Sequence, residues 1–428
     1  MSRSYPKILR NRKNRIARRL KACFWPEQPE PMFAASNIHY EMADKAQAIT
    51  CGGIGAIHLM CQKIGLVDDL NEKVTVLKRH LPYHESDHVL NLAYNIMAGG
   101  VRLEDIELRR NDENYLNGLG AQRIPDPTTA GDFTRRFAPA DILALMEAIN
   151  TSRQRVWNLQ PAGFLNEAVI DVDGSLAGTL GQCKEGMDIS YKGIWGYHPL
   201  IVSLANTKEV LYLVNRPANV PSHQGAVEWI ERAIALLRPH AGSIFVRGDT
   251  DFSFTGKFDQ WDEAAVQFVF GMDASPTLVK LAEGLPESSW RGLAREEPPI
   301  KTEPRERPEN VKERIVKERE FVNQRLESEE VADVEYQPGK CARSYRLVIV
   351  RKNISVEKGE EYLFPEIRYF FYITNRRDLA WHEVVQQAHE RCNQENVIAQ
   401  LKGGVNAMRL PVNDLESSCP KRAGARKW

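Results

Sequence analysis

Residues 167–175, EAVIDVDGS, and 243–252, SIFVRGDTDF, decide the fold. Each is a short apolar run that ends in acids, Asp171 and Asp173 in the first, Asp249 and Asp251 in the second. Runs of this length, rich in Val, Ile and Phe, read as buried strands, and acids just past them sit at the sheet's edge. PLIVSLA (199–205), VLYLVNR (210–216) and VQFVFGM (266–272) are further strands, and GAVEWIERAIALLR (225–238) is a helix between the third and fourth strands. Strand, strand, strand, helix, strand, helix, strand predicts an α/β fold with a mixed sheet.

Outward from this core the texture changes on both sides. From about Ala43 to Asn150, GAIHLMCQKIGLVDDL, HVLNLAYNIMAGG and ADILALMEAI carry apolar residues at three- and four-residue spacing, which predicts an all-helical unit over 32–160. Within it, IPDPTTAGDFTRRF (124–137) places Pro127, then Thr129 and Asp132 as a capping-box-like start, then Arg135 and Arg136 near the front of a short helix. That helix could enter a DNA groove or be an ordinary capped helix with solvated arginines. Downstream, residues 294–330 are densely charged and Pro-interrupted, and YRLVIVRK and YFFYITN are strand-like. The core therefore spans 161–275, a β-rich insertion subdomain 276–364, and a final strand and helix 365–410. LAWHEVVQQAHERCNQENVIAQLK (379–402) is that one resuming helix. A basic extension over 1–31 and a basic tail over 411–428 flank the whole.

Lys+Arg and Asp+Glu balance at 57 each over 428 residues, so any nucleic-acid surface must come from local segregation. SRSYPKILRNRKNRIARRLK (2–21) shows it, with no acid at all. Seven cysteines without a CxxC pair read as reduced thiols of a cytosolic protein. No apolar run approaches roughly 18 residues, so no membrane partner is expected.

The paired strand-end acids suit Mg²⁺, which takes oxygen ligands and keeps waters, and a metal pair can clamp both oxygens of an in-line phosphodiester displacement. On the last helix Arg391 and Glu395 stand one turn apart and Lys402 two turns on, which is either a third acid with cationic escorts or a solvated ion pair. In SYKGIWGYHPL (190–200), Lys192, Trp195, Tyr197 and His198 could stack an unpaired base and hold its phosphate, or pack the core's edge. Arg216 and Arg247 are further phosphate candidates. His84-Glu85-Ser86-Asp87-His88 matches HExxH literally, but Pro82 marks a helix start and Ser86 or Asp87 is better read as its cap than the histidines as zinc ligands. CGGIGA (51–56) follows no strand and reads as close helix packing.

These segments together resemble the DDE transposases of bacterial insertion sequences, in particular the insertion-sequence-1380 group, over roughly Met32 to Pro411. SDHVLNLAYNIMAGGVRLEDIELRRND, DPTTAGDFTRRF, DVDGS, YKGIWGYHPL, NRPAN and RGDTDF carry the resemblance, with the helix bearing Arg391, Glu395 and Lys402. It implies a ribonuclease-H-like core, whose strand order the core above follows. It also implies Asp173, Asp249 and Glu395 as the acids holding two Mg²⁺ ions, with Mn²⁺ as substitute. The implied activity is hydrolysis at transposon ends and strand transfer into target DNA by a homodimer in a synaptic complex, in the bacterial cytoplasm at the nucleoid. The family's last signature has a tyrosine where this chain has Ala388, and its C-terminal pattern gives way to CPKRAGARKW (419–428), as in a truncated or frameshifted copy with Met32 as a plausible start. Two other readings fit the same residues: a truncated copy that only binds DNA, and a ribonuclease-H-like nuclease without strand transfer.

Overall fold

The computed structural model describes residues 5–21, 28–35, 51–181, 184–293, 311–358, 361–362 and 366–408. The expected tail over 411–428 and the Pro-interrupted stretch over 294–310 lie outside the described residues. Before the first strand every described element is helical: α1 (Tyr5–Lys21), α2 (Ile54–Lys63), α3 (Leu66–Lys73), α4 (Glu85–Met97), α5 (Ile106–Arg110), α6 (Glu113–Gly118), α7 (Pro127–Thr134) and α8 (Pro139–Asn158). Ile16, Leu70, Tyr94, Ile106, Tyr115 and Phe133 close one core among them. The basic α1 docks on this bundle through Ile16, with Lys13 and Arg15 paired to Glu107 and Glu113 at 2.6 Å each.

Two sequence features of the bundle resolve into structural roles. The HExxH segment is a helix start: Asp87 accepts from the backbone N–H groups of His84, Met32 and Phe33 at 2.8–2.9 Å, so it caps α4 and ties down the incoming chain. The cap of α7 is Asp126, accepting from the N–H groups of Thr128 and Thr129, with Pro127 in the first turn. Thr129 and Asp132 therefore do not open this helix, and Arg135 and Arg136 lie at its C-terminal end rather than near its front. Arg135 pairs with Asp132 at the helix surface.

His88 makes the bundle sensitive to acid. Its ring is 4% exposed and stacks on Phe133 with centroids 4.3 Å apart, and its Nδ1 has no hydrogen-bond partner. Burial pushes its pKa down from 6.5 to about 4, with the Arg136 charge adding to the effect. The unfolded chain thus takes up this proton at higher pH than the folded one, so stability falls as pH drops from 6.5 towards 4, by up to about 3 kcal/mol. Urea unfolding at pH 7 and pH 4.5 should show that loss in the parent and a smaller one in His88→Leu. Equal losses in the two proteins contradict the assignment.

The strands follow: β1 (Glu167–Gly174), β2 (Ala177–Gly178), β3 (Asp188–Ile189), β4 (Trp195–Tyr197), β5 (Leu200–Leu204), β6 (Glu209–Val214), β7 (Ser243–Gly248), β8 (Val266–Met272), β9 (Arg291–Gly292), β10 (Val322–Tyr336), β11 (Tyr345–Lys358), β12 (Glu361–Tyr362) and β13 (Glu366–Thr374). One ten-stranded mixed sheet runs β6-β5-β1-β7-β8-β13-β11-β10-β9, with β12 on β11, and β2-β4-β3 form a small separate sheet. Among the first five core strands in chain order the arrangement is 3-2-1-4-5, with β1, β7 and β8 parallel and β5 and β6 antiparallel. The expected α/β class and mixed sheet are present. The segment read as an insertion does not form a sheet of its own: β10 and β11 continue the core sheet through β13, which pairs antiparallel with β8.

Alternation along β1 and β7 gives the sheet two unlike faces. Ala168, Ile170, Val172, Ile244 and Val246 enter one core, which contains Ile230 and Ala233 of α9 (Ala226–Leu237) and Phe258 of α10 (Phe258–Glu263). Phe245 and Val269 enter another, with Val384 and Val385 of the late helix Trp381–Glu390. The long α8 joins bundle to sheet: Ile142 and Leu145 pack on the bundle core, Leu143 and Met146 on the sheet core.

Candidate active site

In β1 and β7 the pairing is parallel with Asp171 opposite Arg247. Two residues further along each strand are Asp173 and Asp249, so the register sets these two acids side by side at the strands' C-terminal ends. That edge, where the chain order of the strands reverses, is where open α/β sheets bind ligands. Asp249 also caps the short turn after β7, accepting from the Asp251 N–H at 3.0 Å. Gly174 follows Asp173 because a Cβ there would meet His198 Nε2 at 2.6 Å.

The third acid arrives on a broken helix. The sequence predicts one helix through Lys402; the structure has Trp381–Glu390, a turn at Arg391–Cys392, Asn393–Ala399, and a wider π-turn over Gln400–Gly404. Arg391 and Lys402 therefore do not share one straight helical face with Glu395. Arg391 nevertheless points at the acids, with Nη1 3.8 Å from Asp173 Oδ2. Glu395 is exposed and close enough for its charge to act on Asp173.

Burial pushes the Asp173 carboxyl up to about 6, the Asp249 and Glu395 charges add to the rise, and Arg391 opposes it. Asp249 is raised as well, mainly by burial, with Arg391 again opposing and Asp251 and Asp273 adding. Asp273 carries the same sequence signal as the other two acids: it directly follows β8, as Asp173 and Asp249 close β1 and follow β7. His198 is buried, its pKa lowered by burial, and it feels the charges of Asp251 and Lys402, which puts Lys402 on the same rim.

Other expected site residues belong elsewhere. Arg247 does not reach a phosphate: it is buried, forks onto Asp171 at 2.7 and 2.9 Å, and donates to the Gln387 carbonyl oxygen and to Glu390. Arg216 is spent on backbone, donating to the carbonyl oxygens of His198, Ser222 and Gln224. Tyr197 is 2% exposed and its hydroxyl donates to the Glu185 carbonyl oxygen, so it cannot stack a base. Lys192 is exposed with its Nζ 5.3 Å from the Tyr191 ring centroid, and Trp195 is half exposed on the small sheet. Ala388 packs against the late-helix core, and the neighbouring His389 meets the Tyr372 hydroxyl at 3.0 Å.

Among the described residues no three His, Cys, Asp or Glu side chains converge closely enough to hold a metal ion. The donor set still fits a hard divalent cation: the acids offer only carboxylate oxygens, and two of them are held at adjacent strand ends at a cost that positive charge would relieve.

No curated protein matches this chain. Among solved structures, the piggyBac transposase synaptic complex with hairpin DNA matches at 12% identity, with a TM-score of 0.36, over 80% of this chain and 67% of that one. The sequence model of the family described as transposase DDE domain group 1 matches residues 41–418, and the chain belongs to that family.

Proposed function

We propose that this chain is a DNA transposase whose acids Asp173, Asp249 and Glu395 would hold two divalent ions, Mg²⁺ or Mn²⁺, on a ribonuclease-H-like core. The observation that carries the proposal is the β1–β7 register, which sets Asp173 beside Asp249 and beneath the helix that brings Glu395. When bound, such an ion pair supplies an activated water and neutralises charge developing on the phosphodiester. The protein's own groups do the rest. The strand ends hold the two aspartates rigidly, and Arg391 and Lys402 offer positive charge to the phosphates on the same rim. Exposed Tyr191, Lys192 and Trp195 on the small sheet, and Arg135 and Arg136 on the bundle, are suited to contacts further along the DNA.

In this reading the helices of 32–160 bind DNA, and 161–275 with 365–410 form the catalytic core that 276–364 interrupts. The substrates are an element's terminal inverted repeats and target DNA, the working form is a homodimer that pairs two ends, and the setting is the bacterial cytoplasm. The resemblance to the insertion-sequence-1380 group supports each point. Incubation with a duplex carrying the element's end and with a random duplex, in Mg²⁺, tests the proposal. Nicking at the end sequence alone is expected; equal cutting of both duplexes would instead indicate a nuclease without end recognition.

A further inference from the structure

Each of the three acids is preceded, by one or two residues, by a buried polar group of a single network. Asp171 precedes Asp173 on β1, Arg247 on β7 precedes Asp249 just past it, and Gln394 precedes Glu395 on the helix Asn393–Ala399. We propose that Asp171, Arg247 and Gln394 are positioning residues that fix the spacing of the three acids. The proposal rests on the assignment of those acids made above.

The contacts leave little freedom. The Asp171 and Arg247 side chains are 2% and 4% exposed and joined by two parallel hydrogen bonds of 2.7 and 2.9 Å. Residues two apart on a strand share a face, so this fork locks the relative height of β1 and β7 one pleat before Asp173 and Asp249. The remaining Arg247 nitrogen, Nη1, donates to the Gln387 carbonyl oxygen and to Glu390 Oε2 at 3.2 Å each, which holds the last turn of the helix just before it breaks at Arg391. Beyond the break, Gln394 is 2% exposed and its Nε2 donates to the carbonyl oxygens of Asp171 and Ile201 at 3.2 Å. Ile201 is the cross-strand partner of Asp173.

Energetics point the same way. A buried ion pair adds little net stability over well-packed apolar side chains, and Gln394 keeps its Oε1 buried without a partner. Apolar packing would hold the helix on the sheet but let it slide. Directional hydrogen bonds do not permit that, and outer groups that orient metal-holding residues are typically worth about 10- to 100-fold in affinity or activity.

The test compares the full chain with Gln394→Met, which keeps the volume and removes both donors. Mn²⁺ binding is followed by the loss of the free-ion paramagnetic resonance signal, and cleavage by kcat and KM for end DNA. Expected are unchanged DNA KM, kcat lower by about 10- to 100-fold, and Mn²⁺ affinity weaker by a similar factor per folded molecule. Gln394→Asn, which keeps the amide but withdraws it by one methylene, gives the same pattern if the methionine variant fails to fold. A variant that is merely less stable, with parental kcat and Mn²⁺ affinity per folded molecule, overturns the proposal alone. A parent that binds no Mn²⁺ overturns the assignment of the three acids and the proposal with it.

Discussion

Asp173→Asn is expected to lower strand cleavage by on the order of 10³-fold or more while leaving the fold and DNA binding intact. Losing one preorganised electrostatic group from a reacting centre costs on that scale, and a charge that would share a metal ion costs no less. The amide keeps the size of the carboxylate at the end of β1, and removes a charge that burial and the Asp249 carboxylate already disfavour. Gly174 and His198, packed against each other beside it, need not move. Single-turnover cleavage of end DNA, with circular dichroism as the control for folding, reads this directly. Activity within about tenfold of the parent would remove Asp173 from the site.

Arg247→Met should have the largest effect on stability. It leaves the Asp171 carboxylate, 2% exposed, without its guanidinium partner, and breaking a buried pair from one side costs about 3–5 kcal/mol. The double variant Asp171→Leu/Arg247→Met should recover most of that loss, because an apolar pair needs no desolvated charge. It should not recover cleavage, because the fork that sets Asp173 level with Asp249 is gone. Equilibrium urea unfolding measures the first two effects. A single variant that loses less than about 1 kcal/mol would mean that the Arg247–Asp171 pair is open to water in solution.

The sheet edge that carries Asp173 and Asp249 is legible in the sequence because its information is local. Apolar runs ending in acids mark β1 and β7, and parallel pairing then puts Asp173 beside Asp249 without further help. Asp273 obeys the same pattern and could have been found by it. The HExxH segment was likewise decided locally, by Pro82 and by the capping reach of Asp87.

What the sequence does not show depends on partners distant in the chain. Arg247 and Arg216 look alike beside acids and turns, and only the fold shows one forked on Asp171, 76 residues away, and the other wrapped in the carbonyl oxygens of the loop after β6. Tyr197 and exposed Trp195 stand two apart on a short strand and so share a face, and only the fold shows that the Tyr197 end of that face is covered. The break at Arg391–Cys392 carries no Gly or Pro to announce it; it occurs where Arg247 and Gln394 hold the two halves of the helix to the sheet. β11 reads as strand, but β10 begins inside the charged stretch that reads as solvated, and the continuation of both into the core sheet is settled by pairing through β13, which no local pattern specifies.

In the proposed site an acid carried on the helix Asn393–Ala399 completes a pair begun at the ends of β1 and β7. Glu395 is the best residue on which to test it, because its side chain is exposed and the helix is anchored by its neighbour Gln394, so Glu395→Gln should cost the fold little. Cleavage of end DNA in Mg²⁺ by parent and Glu395→Gln, at equal bound DNA, is the measurement. The site as described predicts end-specific nicking by the parent and none above background by the variant. Equal nicking by the two proteins would contradict it.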